Sequence, residues 1–270
     1  MKYRGIAMTV AGSDSGGGAG IQADLKTFAA LRVFGTSAVA AVTAQNSLGV
    51  QAIHNIPPGM VLEQMRSVLS DFSVGAVKTG MLSGAQIVTS VCEGIRELSV
   101  HSLVVDPVMV AQSGDPLIAD QAVMAIKEEL LPLASLVTPN VPEAERLSGL
   151  SVTDVDSMTA AASTIAGMGP QAVLVKGGHL EGNVVTDVLW ISGKAVRFDS
   201  PKIDTGNTHG TGCTLSAAIA AELAAGCELQ EAVKRGHSYL QLALKHGFRP
   251  GGGHGPVGHL VSPEWIQRGD

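Results

Sequence analysis

Apolar positions along the chain come in short, β-branched runs separated by stretches of helical period. Runs at 6–11, 37–43, 75–79, 102–106, 135–138 and 172–176 are bounded by turn residues and predict buried strands. Stretches at 20–31, 61–72, 86–98, 120–130 and 157–168 lie between them and predict helices. Strand-then-helix repetition implies βαβ crossovers, hence a doubly wound α/β fold whose mainly parallel central sheet is covered by helices on both faces. After Lys176 the pattern changes. Segments 184–191 and 194–198, joined at Ser192-Gly193, predict a small antiparallel hairpin. Helices over 211–225 and 229–246 follow, and 250–256 reads as loop. No low-complexity linker interrupts this order, so one domain over residues 1–270 is expected.

Composition narrows the reading further. Hydrophobic residues make up 45% of the 270 positions and aromatics only 3%, so the core must be built from Ala, Val, Leu and Ile. The 33 glycines cluster in loops rather than in a repeat, which excludes a collagen-like chain. A net charge of −6 argues against a general nucleic-acid binder, which needs a basic surface. The first apolar stretch runs straight into a glycine loop and reads as a strand, not a leader, and no run approaches the ~20 apolar residues of a membrane span. Three cysteines without metal-ligand or CxxC spacing fit a reducing compartment, so a cytoplasmic location is expected.

In open α/β sheets ligands bind beyond the carboxyl ends of the strands. Polar residues end all six of the first predicted strands: Asp14, Gln45-Asn46, Lys78-Thr79, Asp106, Asn140 and Lys176. The most telling segment is Asp204-Thr-Gly-Asn-Thr-His-Gly-Thr-Gly-Cys213, which runs into the small-residue stretch Thr214–Ala221. Closely spaced glycines before a helix start make a cradle of main-chain amides for an anion, reinforced by the helix dipole. Cys213 would sit in the first helical turn, where a thiol's pKa falls from ~8.5 toward neutrality. Phosphoryl transfer, with Cys213 acting on the acceptor, is the chemistry this segment suits. Cys92 and Cys227 have no such setting and read as packing.

The loop Gly12-Ser-Asp-Ser-Gly-Gly-Gly-Ala-Gly20 is neither a P-loop nor a dinucleotide fingerprint. It could wrap a flat polar substrate, with Asp24 reaching back from the next helix, or it could be a plain strand-to-helix turn. Asp106 and Glu143 could hold Mg²⁺, which keeps several waters and takes one or two carboxylates plus phosphates. Equally, Asn140 and Glu143 could form a helix capping box. Lys176-Gly-Gly-His179 offers an ammonium to a nucleotide phosphate or to solvent. The GxGxxG at Gly253–Gly258 follows no strand and carries Pro256 where a helix should begin, so it reads as chance. His254 and His259 read as structural or solvent-facing.

Taken in order, the segments at 11–27, 43–46, 78–81, 106–109, 138–143, 175–179 and 207–213 resemble the hydroxymethylpyrimidine/phosphomethylpyrimidine kinases of thiamine biosynthesis, within the ribokinase-like superfamily. The resemblance covers about residues 5 to 260. It implies ATP and Mg²⁺ as cofactors and a small-molecule acceptor, 4-amino-5-hydroxymethyl-2-methylpyrimidine, phosphorylated first to its monophosphate and then to its diphosphate. By the same resemblance Gln45 would read the aminopyrimidine, with Gly12, Asp24, Met81 and Val108 around it. Asp106 and Glu143 would serve the metal, and Asn140 and Lys176 the nucleotide. Gly210, Thr211 and Gly212 would form the anion hole, and Cys213 would stand where sugar kinases of the superfamily carry an aspartate base. Many relatives read Asp-Pro-Ser-Gly where this chain has Asp14-Ser-Gly-Gly17, a looser turn. A homodimer is expected, since no long lid is inserted, and a fused synthase or transcriptional domain is not. A pyridoxal-type kinase and a non-catalytic pyrimidine sensor remain as alternatives.

Overall fold

The computed structural model describes residues 3–110, 118–178, 180 and 182–268, and the statements below concern those residues. The chain runs β1 (Ile6–Asp14), α1 (Gly20–Ala30), β2 (Phe34–Asn46), β3 (Gly49–Asn55), α2 (Pro58–Leu69), β4 (Ala76–Thr79), α3 (Ala85–Glu97) and β5 (Leu103–Val105). It continues through α4 (Asp120–Ala125), β6 (Leu136–Val137), α5 (Val141–Ser148), α6 (Val155–Ala166), β7 (Ala172–Val175), β8 (Val184–Ile191) and β9 (Lys194–Pro201). It ends with α7 (Thr211–Ala224), α8 (Leu229–Lys245) and α9 (Glu264–Arg268).

All of these strands form one sheet in the order β3-β2-β1-β4-β5-β6-β7-β8-β9. The ladder is parallel from β2 to β7 and antiparallel at both flanks. The doubly wound α/β class read from the sequence is what the chain adopts. Period-two alternation sends neighbouring strand residues to opposite layers. Leu103 and Val105 join the core under α2 to α6, whereas Val104 joins the core under α1, α7, α8 and α9. Burial on both faces is why these strands read as unbroken apolar runs.

The sequence reading omitted three elements. β3 is a flank strand with most of its residues exposed, so it carries no burial pattern. α5 is foreshadowed in the sequence only by its capping residues, Asn140 and Glu143. α9 is a single short turn-and-a-half. The predicted helix at 120–130 is divided: α4 gives way to a π-helical turn over Ile126–Leu130, just before Pro132 removes a backbone donor.

Helix α7 matters most for the site. Every residue from Thr214 to Glu222 is buried, because the small side chains let the helix lie directly on β1, β4 and β5. Its N-terminus therefore points into the crevice between β1 and β4. The chain leaves β1 for one side of the sheet and later reaches β4 on the other, the switch point at which such sheets bind ligands.

Candidate active site

One cavity of about 620 Å³ runs along the carboxyl edge of the sheet. At one end lie Gly12 and Asp14 from β1, Thr43 and Gln45 from β2, Met81 after β4 and Val108 after β5. The opposite end is walled by Gly178, Val185, Asp187, Leu240 and Leu244. Between them stand Asp106, Asn140, Glu143, Lys176 and the α7 start, Gly210 to Cys213. Of the residues expected at the site, all but Asp24 line this space.

Asp24 is turned away. It is fully buried, accepts a 2.6 Å bond from Thr9 Oγ1, and receives Lys78 Nζ on both oxygens at 3.0 and 2.9 Å. Burial pushes its carboxyl up from 3.8, a rise these donors limit. Lys78, which does line the cavity, pays for its own burial through the charge of Asp24, which keeps the ammonium protonated. Asp24 therefore does not line the cavity as expected; it pairs with Lys78, which does.

Asp106 ends β5 with Oδ1 held 2.9 Å from Lys176 Nζ and 3.3 Å from Thr138 Oγ1. Ser216 of α7 donates to Oδ2 at 3.3 Å. Burial alone would raise this carboxyl, but Lys176 and Lys78 hold it below its ordinary 3.8. Glu143 is more conflicted. It closes the capping box of α5, accepting from the Asn140 amide at 2.8 Å while its own amide donates to Asn140 Oδ1 at 2.9 Å. Burial raises its carboxyl to about 7, with Lys176 opposing and Asp106 adding to the rise. The capping box and the strand-end carboxylate pair therefore coexist in one segment.

Cys213 lines the cavity. Its expected acidity is reversed. Burial pushes the thiol up to about 12; Lys78 and the Gly20 amide pull it down, while Asp106 and Asp24 add to the rise. The sequence displays the helix start but not the desolvation that outweighs it, so at neutral pH this group is a thiol. Gly210 caps α7 with φ of 78°, and the Thr211 amide donates to Thr208 O at 3.3 Å. Gly212 and Cys213 thus supply the first-turn amides best placed for an anion.

At the β2 end of the cavity Gln45 Oε1 accepts from Thr43 Oγ1 at 3.1 Å. Ser15 ties its main chain to the glycine loop with two 2.8 Å bonds.

The family profile described as phosphomethylpyrimidine kinase matches residues 14–258. The chain belongs to the phosphomethylpyrimidine kinase family. It is 49% identical over 264 residues to the thiamine biosynthesis bifunctional protein of Geobacter sulfurreducens, covering 98% of this chain but only 54%, about half, of that relative. The hydroxymethylpyrimidine/phosphomethylpyrimidine kinase of Haemophilus influenzae is 47% identical over 256 residues, with 93% of this chain and 95% of that one covered. Among solved structures, an ADP complex of Bacillus subtilis pyridoxal kinase superposes with a TM-score of 0.89 at 37% identity, covering 99% of each chain.

Two polar pairs in the kinase escaped the sequence reading. Asp187 of β8 accepts from the Gly177 amide at 2.8 Å and pairs with His237 of α8 at 2.6 Å, bracing the turn after Lys176. Asp14 pairs with His209 at 3.0 Å. Asp14 was visible as a strand-end polar residue, and His209 as a neighbour of the glycines that start α7; their meeting was not. His179 lies outside the described residues. His259 is buried against Thr214 Oγ1 at 3.1 Å, burial pushing its pKa to about 4, and is structural as expected. Cys92 is buried, and Cys227 donates to Glu222 far from the cavity.

Proposed function

We propose that this kinase transfers the γ-phosphoryl group of ATP to the hydroxymethyl oxygen of 4-amino-5-hydroxymethyl-2-methylpyrimidine and then to the monophosphate so formed, as steps of thiamine biosynthesis. The observation that carries this reading is the shared cavity. Gln45 and the α7 N-terminus open onto the same space, with the Asp106–Lys176 pair between them. Gln45 reads the aminopyrimidine edge, with Gly12, Met81 and Val108 around the ring. Lys176 and Asn140 take the nucleotide phosphates. The first-turn amides of α7 and the Lys176 ammonium stabilise charge on the migrating group, so catalysis is mainly positioning plus electrostatics.

Asp106 and Glu143 fit a Mg²⁺ ion. They are two carboxylates lining the cavity beside Lys176, a donor set that suits an ion relying on waters and phosphates for its other ligands. Mg²⁺ bound there would offset the charge of the phosphate oxygens. Cys213, a neutral thiol, orients the acceptor oxygen rather than standing ready as a thiolate. That is sufficient for the second transfer, whose acceptor oxygen is already ionised, and a loose transition state asks little of a base in the first.

Incubation with ATP, Mg²⁺ and the free pyrimidine should yield both mono- and diphosphate. Absence of either product would overturn the two-step reading. Pyridoxal is the competing acceptor, favoured by the close superposition on a pyridoxal kinase; equal use of both alcohols in one assay would replace a pyrimidine-specific enzyme with a dual one. The assembled ion pairs speak against a non-catalytic sensor. Cys213→Ala should lower kcat about tenfold or more while the KM for ATP stays within about twofold, since the side chain faces the acceptor. An unchanged kcat would remove Cys213 from the chemistry.

The kinase is further proposed to act in the cytoplasm, in keeping with three free cysteines, and as a homodimer. Among the described residues no helix is long and apolar enough to cross a membrane. Val42, Leu48 and Ile53 are exposed on the β2–β3 hairpin next to Gln45, where a second copy would cover them. Light scattering at micromolar concentration should give twice the chain mass, and a monomer would contradict this.

A further inference from the structure

The glycine loop after β1 and the start of α7 lie 195 residues apart at their point of contact, yet they interlock. Asp14 organises the loop. Its Oδ1 accepts from the Gly16 amide at 2.8 Å, and its Oδ2 accepts from Gly18 at 3.0 Å and Ala19 at 2.8 Å. His209 Nε2 reaches that same Oδ2 at 3.0 Å. Burial would raise the Asp14 carboxyl, but His209 and the loop amides hold it below 3.8, so it is ionised and can only accept. The hydrogen in the His209 contact must therefore sit on Nε2.

The fit around this bond leaves no slack. The His209 ring lies against Gly18, where a β-carbon would collide with Cδ2. One residue further on, Gly210 is left-handed, and a β-carbon there would collide with the Gly18 carbonyl oxygen. From the other side the His209 amide donates to Gly255 O at 3.0 Å, tying in the C-terminal loop. Gly20, where the glycine loop ends, lines the same cavity as Cys213. One imidazole thus joins the acceptor's glycine loop, the anion-binding helix start and the tail that covers them.

We propose that His209 is a positioning residue: its Nε2–H bond to Asp14 clamps the glycine loop onto the start of α7 and so sets the distance from acceptor oxygen to migrating phosphoryl group. This rests on the kinase reading above. A misplacement of ~1 Å at a reacting centre costs on the order of 100-fold in rate, so loosening the clamp should act on kcat, not on nucleotide affinity, which belongs to the other end of the cavity.

The test compares wild type, His209→Ala and His209→Gln, whose amide can still donate. For His209→Ala, kcat of the first phosphorylation should fall about 10- to 100-fold, while calorimetric ADP affinity stays within about threefold. Iodoacetamide, followed by peptide mass mapping, should label Cys213 several times faster once the loop that shares its cavity loosens. His209→Gln should recover most of the rate and most of the protection. A wild-type kcat in His209→Ala, a parallel loss of ADP affinity, or a folded Gln variant no better than Ala would each overturn the proposal. If His209→Ala melts below the assay temperature, His209→Leu, which fills the space without a donor, provides the same contrast, and a wild-type rate there is equally fatal. Alkylation needs no turnover. A wild type inactive on every alcohol would therefore sink the kinase reading while Cys213 labelling still decided the clamp.

Discussion

Asp106→Asn is expected to lower kcat by about a hundredfold to a thousandfold, the range for losing one preorganised electrostatic group. The carboxylate is the hub of the proposed reaction centre: it bonds Lys176, Thr138 and Ser216, and it is held ionised by two lysines. An amide keeps the shape and removes the charge. Lys176 then loses its anionic partner, and the candidate Mg²⁺ site loses one of its two carboxylates. The KM for MgATP should rise alongside, whereas the KM for the pyrimidine, which we propose is read at the Gln45 end, should move little. Initial rates over a grid of both substrates measure all three quantities. A kcat within tenfold of wild type would mean that Asp106 serves only to place Lys176. The pH dependence has a definite sign. Because the folded-state carboxyl lies below 3.8, its charge is complete above that value, and activity dependent on it should fade only as pH drops through the lowered pKa.

Glu222→Ala should produce the largest loss of stability, about 3–5 kcal/mol, with little change in kcat while the protein remains folded. The Glu222 side chain is fully buried at the end of α7 remote from the cavity. Arg4 binds it with two bonds of 2.8 and 2.9 Å, Arg235 at 3.2 Å, Trp265 Nε1 at 3.2 Å and Cys227 Sγ at 3.3 Å. One carboxylate thus staples the N-terminal segment, α8 and α9 to α7. Removing it strands two guanidinium groups close together, and Tm should fall on the order of 10 °C. Burial would raise this carboxyl, but Arg4 chiefly reverses that and holds it below 4.5. Its stabilisation is therefore complete above pH 4.5 and lost as pH falls through the lowered pKa. Thermal melts at pH 7 and pH 3 should show the mutant's deficit shrinking at low pH. A deficit independent of pH would assign the effect to packing instead.

Much of this architecture was legible because parallel strands buried on both faces spell themselves out as apolar runs. Such runs report burial, though, not pairing. Segments 102–106 and 135–138 read longer than β5 and β6, which are three and two residues long. β3 was missed for the opposite reason, being a paired strand with little buried surface. At the site, the polar residues closing each strand were visible, since topology alone brings strand ends together. What escaped were choices of partner. Asp24 turns inward because Lys78 waits 54 residues away, and Asp187 finds His237 across 50 residues. Cys213 was misjudged because a helix start can be read from glycine spacing, while desolvation depends on every element that closes over it.

The mutual fit of Gly18 and Gly210 has a consequence for anyone wishing to transplant this loop-and-helix junction into another scaffold. Each position is small because the opposite segment occupies the missing volume, so enlarging either one alone jams both. Sequence drift can move the two only in concert, and a graft that carried the helix start without its distant loop would leave the helix start without the carbonyl it closes on.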